Sequence, residues 1–158
     1  MSTQPAPGSK APAFKNAPVV GGDYAPGATV SLADLKGRTV VLYFYPKDDT
    51  PGCTTQACAL RDGWSDVSSR AAVFGVSVDS VEKHRKFIEK HSLPFPLIAD
   101  PDHQLVDAYG VWVEKSLYGR SYMGTERTTF VIGPDGVVQA VLAKVQPAQH
   151  LKKLLAAL

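Results

Sequence analysis

Residues 39–62 read TVVLYFYPKDDTPGCTTQACALRD. The first seven, Thr39 to Tyr45, are an unbroken run of β-branched, aromatic and aliphatic residues, the pattern of a strand buried on both faces at the centre of an α/β sheet. Beyond it Cys53, Ala57, Leu60, Trp64 and Val67 recur at steps of four and three, so they share one face of a helix. Thr50 followed by Pro51 marks where that helix starts. Proline loses no useful hydrogen bond at the first helical position, and a threonine oxygen before it can accept one from an early amide. Strand, short junction and helix set the fold class, and Cys53 becomes the third helical residue.

The alternation continues outward. Ala71 to Val78 is a second apolar run, and Ser80 then caps SVEKHRKFIEKH, where Val81, Phe87 and Ile88 punctuate charged positions. Phe95 to Ala99 reads as a third, short strand, and PDHQLVDAYG as a short helix ended by Gly110. Thr128 to Ile132 and Val137 to Leu142 flank the turn GPDG and predict a β-hairpin, with a last amphipathic helix from Gln149 to Leu158. The segment from Ala11 to Lys36 holds Pro12, Pro18 and Pro26 with several glycines, and is expected to carry short strands on one edge. The expected architecture is therefore α/β: a central mixed β-sheet flanked by helices, one domain over residues 10–158, preceded by a flexible tail at residues 1–9.

Composition narrows the function. The 158 residues carry 17 basic and 15 acidic side chains with no basic run, so charge nominates no nucleic acid. No stretch has the roughly 18 apolar residues of a membrane helix, and MSTQPAPGSK lacks the order of a secretory signal. A soluble, cytoplasmic protein is expected. Two cysteines, Cys53 and Cys58, are too few for a disulfide scaffold and suit a compartment where thiols do chemistry.

At the start of a helix, unpaired backbone N–H groups and the positive end of the dipole favour a thiolate at Cys53 over a thiol. The alternative is a small buried cysteine packed on Ala57. Cys58 lies five residues on, about 140° around the helix and about 7.5 Å along it, which separates the two α-carbons by roughly 8 to 9 Å. A disulfide needs them within about 7 Å, so the pair can bond only if the first turns unwind; otherwise Cys58 is an inert helical thiol. Zinc sites need four ligands, and thioredoxin-type dithiols are Cys-x-x-Cys, so both rivals are weakened. His84 and His91 are expected on a solvated face, His103 and His150 stand alone, and Trp64 and Trp112 read as core, with Trp64 able to line a pocket. Asp48 and Asp49 are expected to stabilise the positive helix end. On pattern alone Arg127 is a surface arginine.

The run FYPKDDTPGCTTQACALRD resembles the active-site segment of peroxiredoxins, whose pattern of Pro, three residues, Thr or Ser, two residues, Cys is matched by Pro46, Thr50 and Cys53. The longer form, TPGCT followed by AC and RD, resembles the bacterioferritin-comigratory or PrxQ subfamily. Further likeness runs through KAPAF, VSLADLKG, LIADPDHQLVDAYGV, GTERTTFVIGPDGVV and KVQPAQHLKKLL, about residues 10–158. Gln56 stands where many members have Glu, and Leu60 where an aromatic is common.

The resemblance implies a thioredoxin-like fold and a peroxidase needing neither metal nor organic cofactor. By the same resemblance Cys53 is the peroxidatic nucleophile, Thr50 hydrogen-bonds the thiolate and the peroxide, Pro46 shields the pocket, Arg127 lies beside the thiolate and Cys58 resolves the oxidised product as a disulfide. Its implied partners are hydroperoxides and a thioredoxin or glutaredoxin reductant, acting on a monomer. A redox-sensing or chaperone-like binding protein, or a general thiol–disulfide oxidoreductase, are the alternatives.

Overall fold

The computed structural model of the chain describes residues 3–158; the first two residues of the expected tail lie outside the described residues. Strand β1 (Ala17–Val20) and the two-residue β2 (Thr29–Val30) come from the proline- and glycine-rich entry segment. They are followed by β3 (Val40–Phe44), helices α1 (Pro51–Asp62) and α2 (Trp64–Ser68), β4 (Ala72–Ser77), α3 (Val81–His91), β5 (Leu97–Ala99) and α4 (Gln104–Ala108). The last part holds β6 (Trp112–Leu117), β7 (Arg120–Thr125), β8 (Thr128–Ile132), β9 (Val138–Leu142) and α5 (His150–Ala157).

Seven strands form one sheet in the order β2-β1-β5-β4-β3-β8-β9. β3 is parallel to β4 and antiparallel to β8, and β4 is parallel to β5, so the sheet is mixed. The expected edge strands are β1 and β2, antiparallel to each other, with β1 antiparallel to β5.

All five residues of β3 are buried, because cores lie on both sides of it. Strand alternation sends Val40, Leu42 and Phe44 to one core with Phe74, Tyr109 and Phe130, and Val41, Tyr43 and then Tyr45 to the other with Cys53, Ala57, Leu60 and Leu154. The second face is covered by α1, α3 and α5. β3 therefore delivers the chain into α1 at its carboxyl end, the place where open α/β sheets carry their sites.

Three details differ from expectation. The helix face drawn from Cys53 to Val67 breaks at Gly63 into α1 and α2. α5 packs there, and a Cβ at residue 63 would stand 2.7 Å from Leu151 Cδ2. Second, β6 and β7 form a separate two-stranded ribbon that sequence reading missed, turning through Tyr118 and Gly119 at φ 51° and 77°. Positive φ at both central residues is the hairpin geometry that matches strand twist. Third, pairing with the sheet begins before residue 10: Gly8 N donates to Val138 O at 2.8 Å, and Val138 N donates to Ser9 O at 2.8 Å. Among the described residues no helix is long and apolar enough to cross a membrane.

Candidate active site

Thr50 is the residue before α1, with extended backbone at φ −90° and ψ 155°, and Pro51 opens the helix. Its carbonyl accepts the first helical bond, from Thr54 N at 2.8 Å, so the amides of Gly52 and Cys53 have no partner within the helix. The expected side-chain cap is not made. Instead the Thr50 hydroxyl donates to Lys47 O at 2.8 Å, closing the Pro46–Thr50 loop and leaving the oxygen's lone pairs for another donor. Thr50 and Pro46 are both half-buried.

Cys53 is 2 % exposed and a free thiol. Its sulfur lies 3.4 Å from Arg127 Nη2, the distance of a charge-assisted hydrogen bond to sulfur. Arg127 comes from the link between β7 and β8, and β8 is the neighbour of β3, so the sheet brings together two residues 74 apart in sequence. Two features aim the guanidinium. Arg127 Nη1 donates to Gln56 Oε1 at 2.6 Å, and Gly52 leaves room for it, since a Cβ there would meet Nη2 at 3.2 Å. Gln56 is 1 % exposed. In sequence it is a departure from the Glu common in the family, and nothing in its position signals the contact. Being neutral, it orients Arg127 without cancelling its charge.

Beside Arg127 opens a groove of about 400 Å³ walled by Val113, Lys115, Lys144, Val145 and Pro147. Burial and the charge of Arg127 lower the Lys115 pKa, against the opposite pull of Cys53 and Glu126, which places this lysine in the same electrostatic neighbourhood. Cys58 is half-buried on the same unbroken helix as Cys53 and is also a free thiol.

Other sequence expectations need correction. Asp48 does not serve the helix end: it is 8 % exposed and bonded to His84, which is itself fully buried rather than solvated. Asp49 does face solvent, where Lys90 and His91 of α3 hold its carboxyl below the usual carboxylate range. Trp64 packs on Phe95 and walls a different groove with Tyr24 and Arg38.

His150 is fully buried against the Tyr43 ring, with Nε2 at 2.8 Å from the Thr129 hydroxyl. Burial, helped by nearby Arg127, pushes its pKa down to about 4 from 6.5. It is therefore neutral when folded, while the unfolded chain takes up a proton as pH falls below 6.5. Stability should drop through the window from pH 6.5 to 4 by up to about 3 kcal/mol and flatten below it. Urea midpoints from pH 7 to 4 check this: His150→Phe should lose part of the slope, and an unchanged slope would remove His150 as its source.

The AhpC/TSA family model matches residues 7–141. Peroxiredoxin Bcp of Bacillus subtilis is 47% identical over 149 residues, covering 94% of this chain and 91% of its own, and a putative peroxiredoxin of Coxiella burnetii is 49% identical over 130 residues, 82% and 86%. Among solved structures, a cysteine-to-serine variant of Xylella fastidiosa PrxQ superposes with TM-score 0.87 at 30% identity, covering 98% of this chain and 96% of that one. The bacterioferritin comigratory protein of Xanthomonas campestris, studied for alkyl peroxide reduction in trapped intermediate and ligand complexes, gives TM-score 0.81 at 36% identity over 90% and 88%. The fold is thus thioredoxin-like, and with a family model matched over most of its length and relatives near half identity, this chain belongs to the AhpC/TSA family as a peroxiredoxin, a thiol peroxidase.

Proposed function

We propose that Cys53 is the peroxidatic nucleophile and that it reduces hydrogen peroxide and organic hydroperoxides. The observation that carries this reading is the Arg127 guanidinium 3.4 Å from the Cys53 sulfur in the first turn of α1. A thiolate there attacks the terminal peroxide oxygen. The S–O bond forms as O–O breaks, and the leaving oxygen takes a proton and departs as water or an alcohol. Arg127 and the free first-turn amides stabilise charge as it moves from sulfur to oxygen. The Thr50 oxygen is close by in sequence to hold the incoming peroxide, and Pro46 to keep water out. Alkyl peroxide reduction is the activity studied in the Xanthomonas relative.

The Cys53 sulfenic acid then condenses with the Cys58 thiol, giving a disulfide and water. Both cysteines sit within α1, and helical geometry keeps their α-carbons roughly 8 to 9 Å apart, so the first turns must unwind before the bond closes. A dithiol reductant such as thioredoxin, or a glutaredoxin, attacks the disulfide through a mixed disulfide and restores both thiols. In this reading the compartment is cytoplasmic, which suits two free thiols, and the monomer is what the resemblance to the subfamily implies.

A peptide map after one equivalent of hydrogen peroxide should show residues 53 and 58 linked. Cys58→Ser should still lose one equivalent of peroxide to Cys53 yet turn over at least about 10-fold more slowly with a thioredoxin system, because the sulfenic acid can no longer leave as a disulfide. Unimpaired turnover of Cys58→Ser would remove Cys58 from the cycle.

A further inference from the structure

The loop from Pro46 to Thr50 carries two residues of the proposed site, yet its backbone is irregular and Asp49 holds φ 59°. What fixes it is a buried polar network reaching across to α3. Asp48 Oδ1 accepts from the Tyr45 hydroxyl at 2.5 Å, and Oδ2 lies 2.6 Å from His84 Nδ1. The other ring nitrogen, Nε2, is 2.9 Å from Ile98 O. A carbonyl oxygen only accepts, so Nε2 carries a hydrogen, and one further proton lies between Nδ1 and Oδ2. Whichever atom holds that proton, Asp48 and His84 form a neutral unit. On the backbone side, Asp48 N donates to Asp79 Oδ2 at 2.8 Å, and the Ser77 hydroxyl donates to the same oxygen at 2.7 Å. The ligand atoms of Asp48, Asp79 and His84 lie within 4.8 Å of one another, but the 2.6 Å gap between Nδ1 and Oδ2 is the spacing of a shared proton, not of two ligands around a cation.

α3 also grips the loop from outside. Asp49 takes Lys90 Nζ at 2.8 Å and His91 Nε2 at 3.2 Å, and Arg61 Nη1, near the far end of α1, donates to His91 O at 2.7 Å. Magnitudes separate the two grips. An exposed, solvent-screened pair such as Asp49–Lys90 contributes little, whereas removing one half of a buried pair leaves a desolvated group without its partner and is strongly destabilising. The buried unit decides where the loop sits.

We propose that Asp48 and His84 are positioning residues for the peroxide reaction: together they fix the Pro46–Thr50 loop against α3 and so hold Thr50 and Pro46 at Cys53. This rests on Cys53 being the nucleophile. The pair touches no reacting atom; it acts through the loop.

The test is stopped-flow oxidation of the reduced protein by hydrogen peroxide, with the oxidised residue identified by trapping the sulfenic acid and mapping peptides. Asp48→Ala and His84→Leu should slow Cys53 oxidation by about 10-fold or more, while reduction of the disulfide by thioredoxin stays unchanged. Asp48→Asn keeps an acceptor for Tyr45 and can donate to a neutral His84 Nδ1, so it should restore the rate to within about 3-fold of the parent. Lys90→Ala, which loosens only the outer grip, should leave it within about 2-fold. Should a single variant not fold, Asp48→Ala with His84→Leu removes both halves and leaves no unpaired charge; it should fold and remain slow. Parent rates in the alanine or double variant, or a loss in Asp48→Asn as large as in Asp48→Ala, would overturn the proposal. Oxidation mapping to Cys58 instead would remove the Cys53 assignment, and this inference with it.

Discussion

Cys53→Ser is expected to bring peroxide consumption down to the buffer background, a loss of at least about 10³-fold, since nothing else in the site can form the sulfur–oxygen bond. Serine fills nearly the same volume, so the first turn of α1, where Cys53 packs among Ala57 and Leu60, should keep its shape. The loss would then be chemical and not structural. Cys58 is no substitute: Gln56 keeps the Arg127 guanidinium beside position 53, and helical geometry sets the Cys58 α-carbon roughly 8 to 9 Å from that position. Peroxide consumption coupled to a thioredoxin system measures the effect, with circular dichroism as the check on folding. Retention of more than about one-tenth of the parent rate would place the nucleophile elsewhere.

The features that were legible in the sequence share a physical cause. β3, β4 and β8 are buried on both faces, so their apolar runs are continuous, and the GPDG turn and the Thr50-Pro51 start are local chemistry. The β6–β7 ribbon left no such trace. Leu117, Tyr118, Tyr122 and Met123 are exposed while Lys115 is half-buried, so no alternating pattern marks an inner face. His84 does carry a signal in the sequence: it falls on the stripe Val81, His84, Phe87, Ile88, spaced like the apolar face of α3, and a histidine there is buried with it. Its partner Asp48 is 36 residues away in a charged loop, and no spacing rule joins the two. The same holds for Arg127 and Gln56, 71 apart, which meet only because β8 pairs with β3. Arg127 was legible by resemblance to a family; by pattern it was a surface arginine. The residue type favours the Thr50 hydroxyl as a helix cap, yet the tight loop before α1 presents the Lys47 carbonyl first.

Arg127→Ala should slow Cys53 oxidation by about 10²- to 10³-fold, the loss typical when a preorganised donor is removed from a site where charge develops. Arg127 acts twice in the proposed reaction: its Nη2 faces the thiolate in the resting enzyme, and the same fork faces the oxygen that leaves. Ground-state pairing alone would not speed the chemical step; the gain comes from charge better held at the transition state than before it. Arg127→Lys offers a single ammonium in place of a fork and cannot hold Gln56 and Cys53 together, so it should fall between alanine and the parent. Gln56→Glu keeps an acceptor at Nη1 but adds an opposing charge, so part of the guanidinium's pull is spent on the helix; it should slow oxidation too, by less than Arg127→Ala. The second-order rate constants of the three variants, measured by stopped flow with hydrogen peroxide, give the ordering. Parent-like oxidation in Arg127→Ala would mean that the helix start alone holds the charge, and a Gln56→Glu rate above the parent's would mean that orientation of the fork outweighs its net charge.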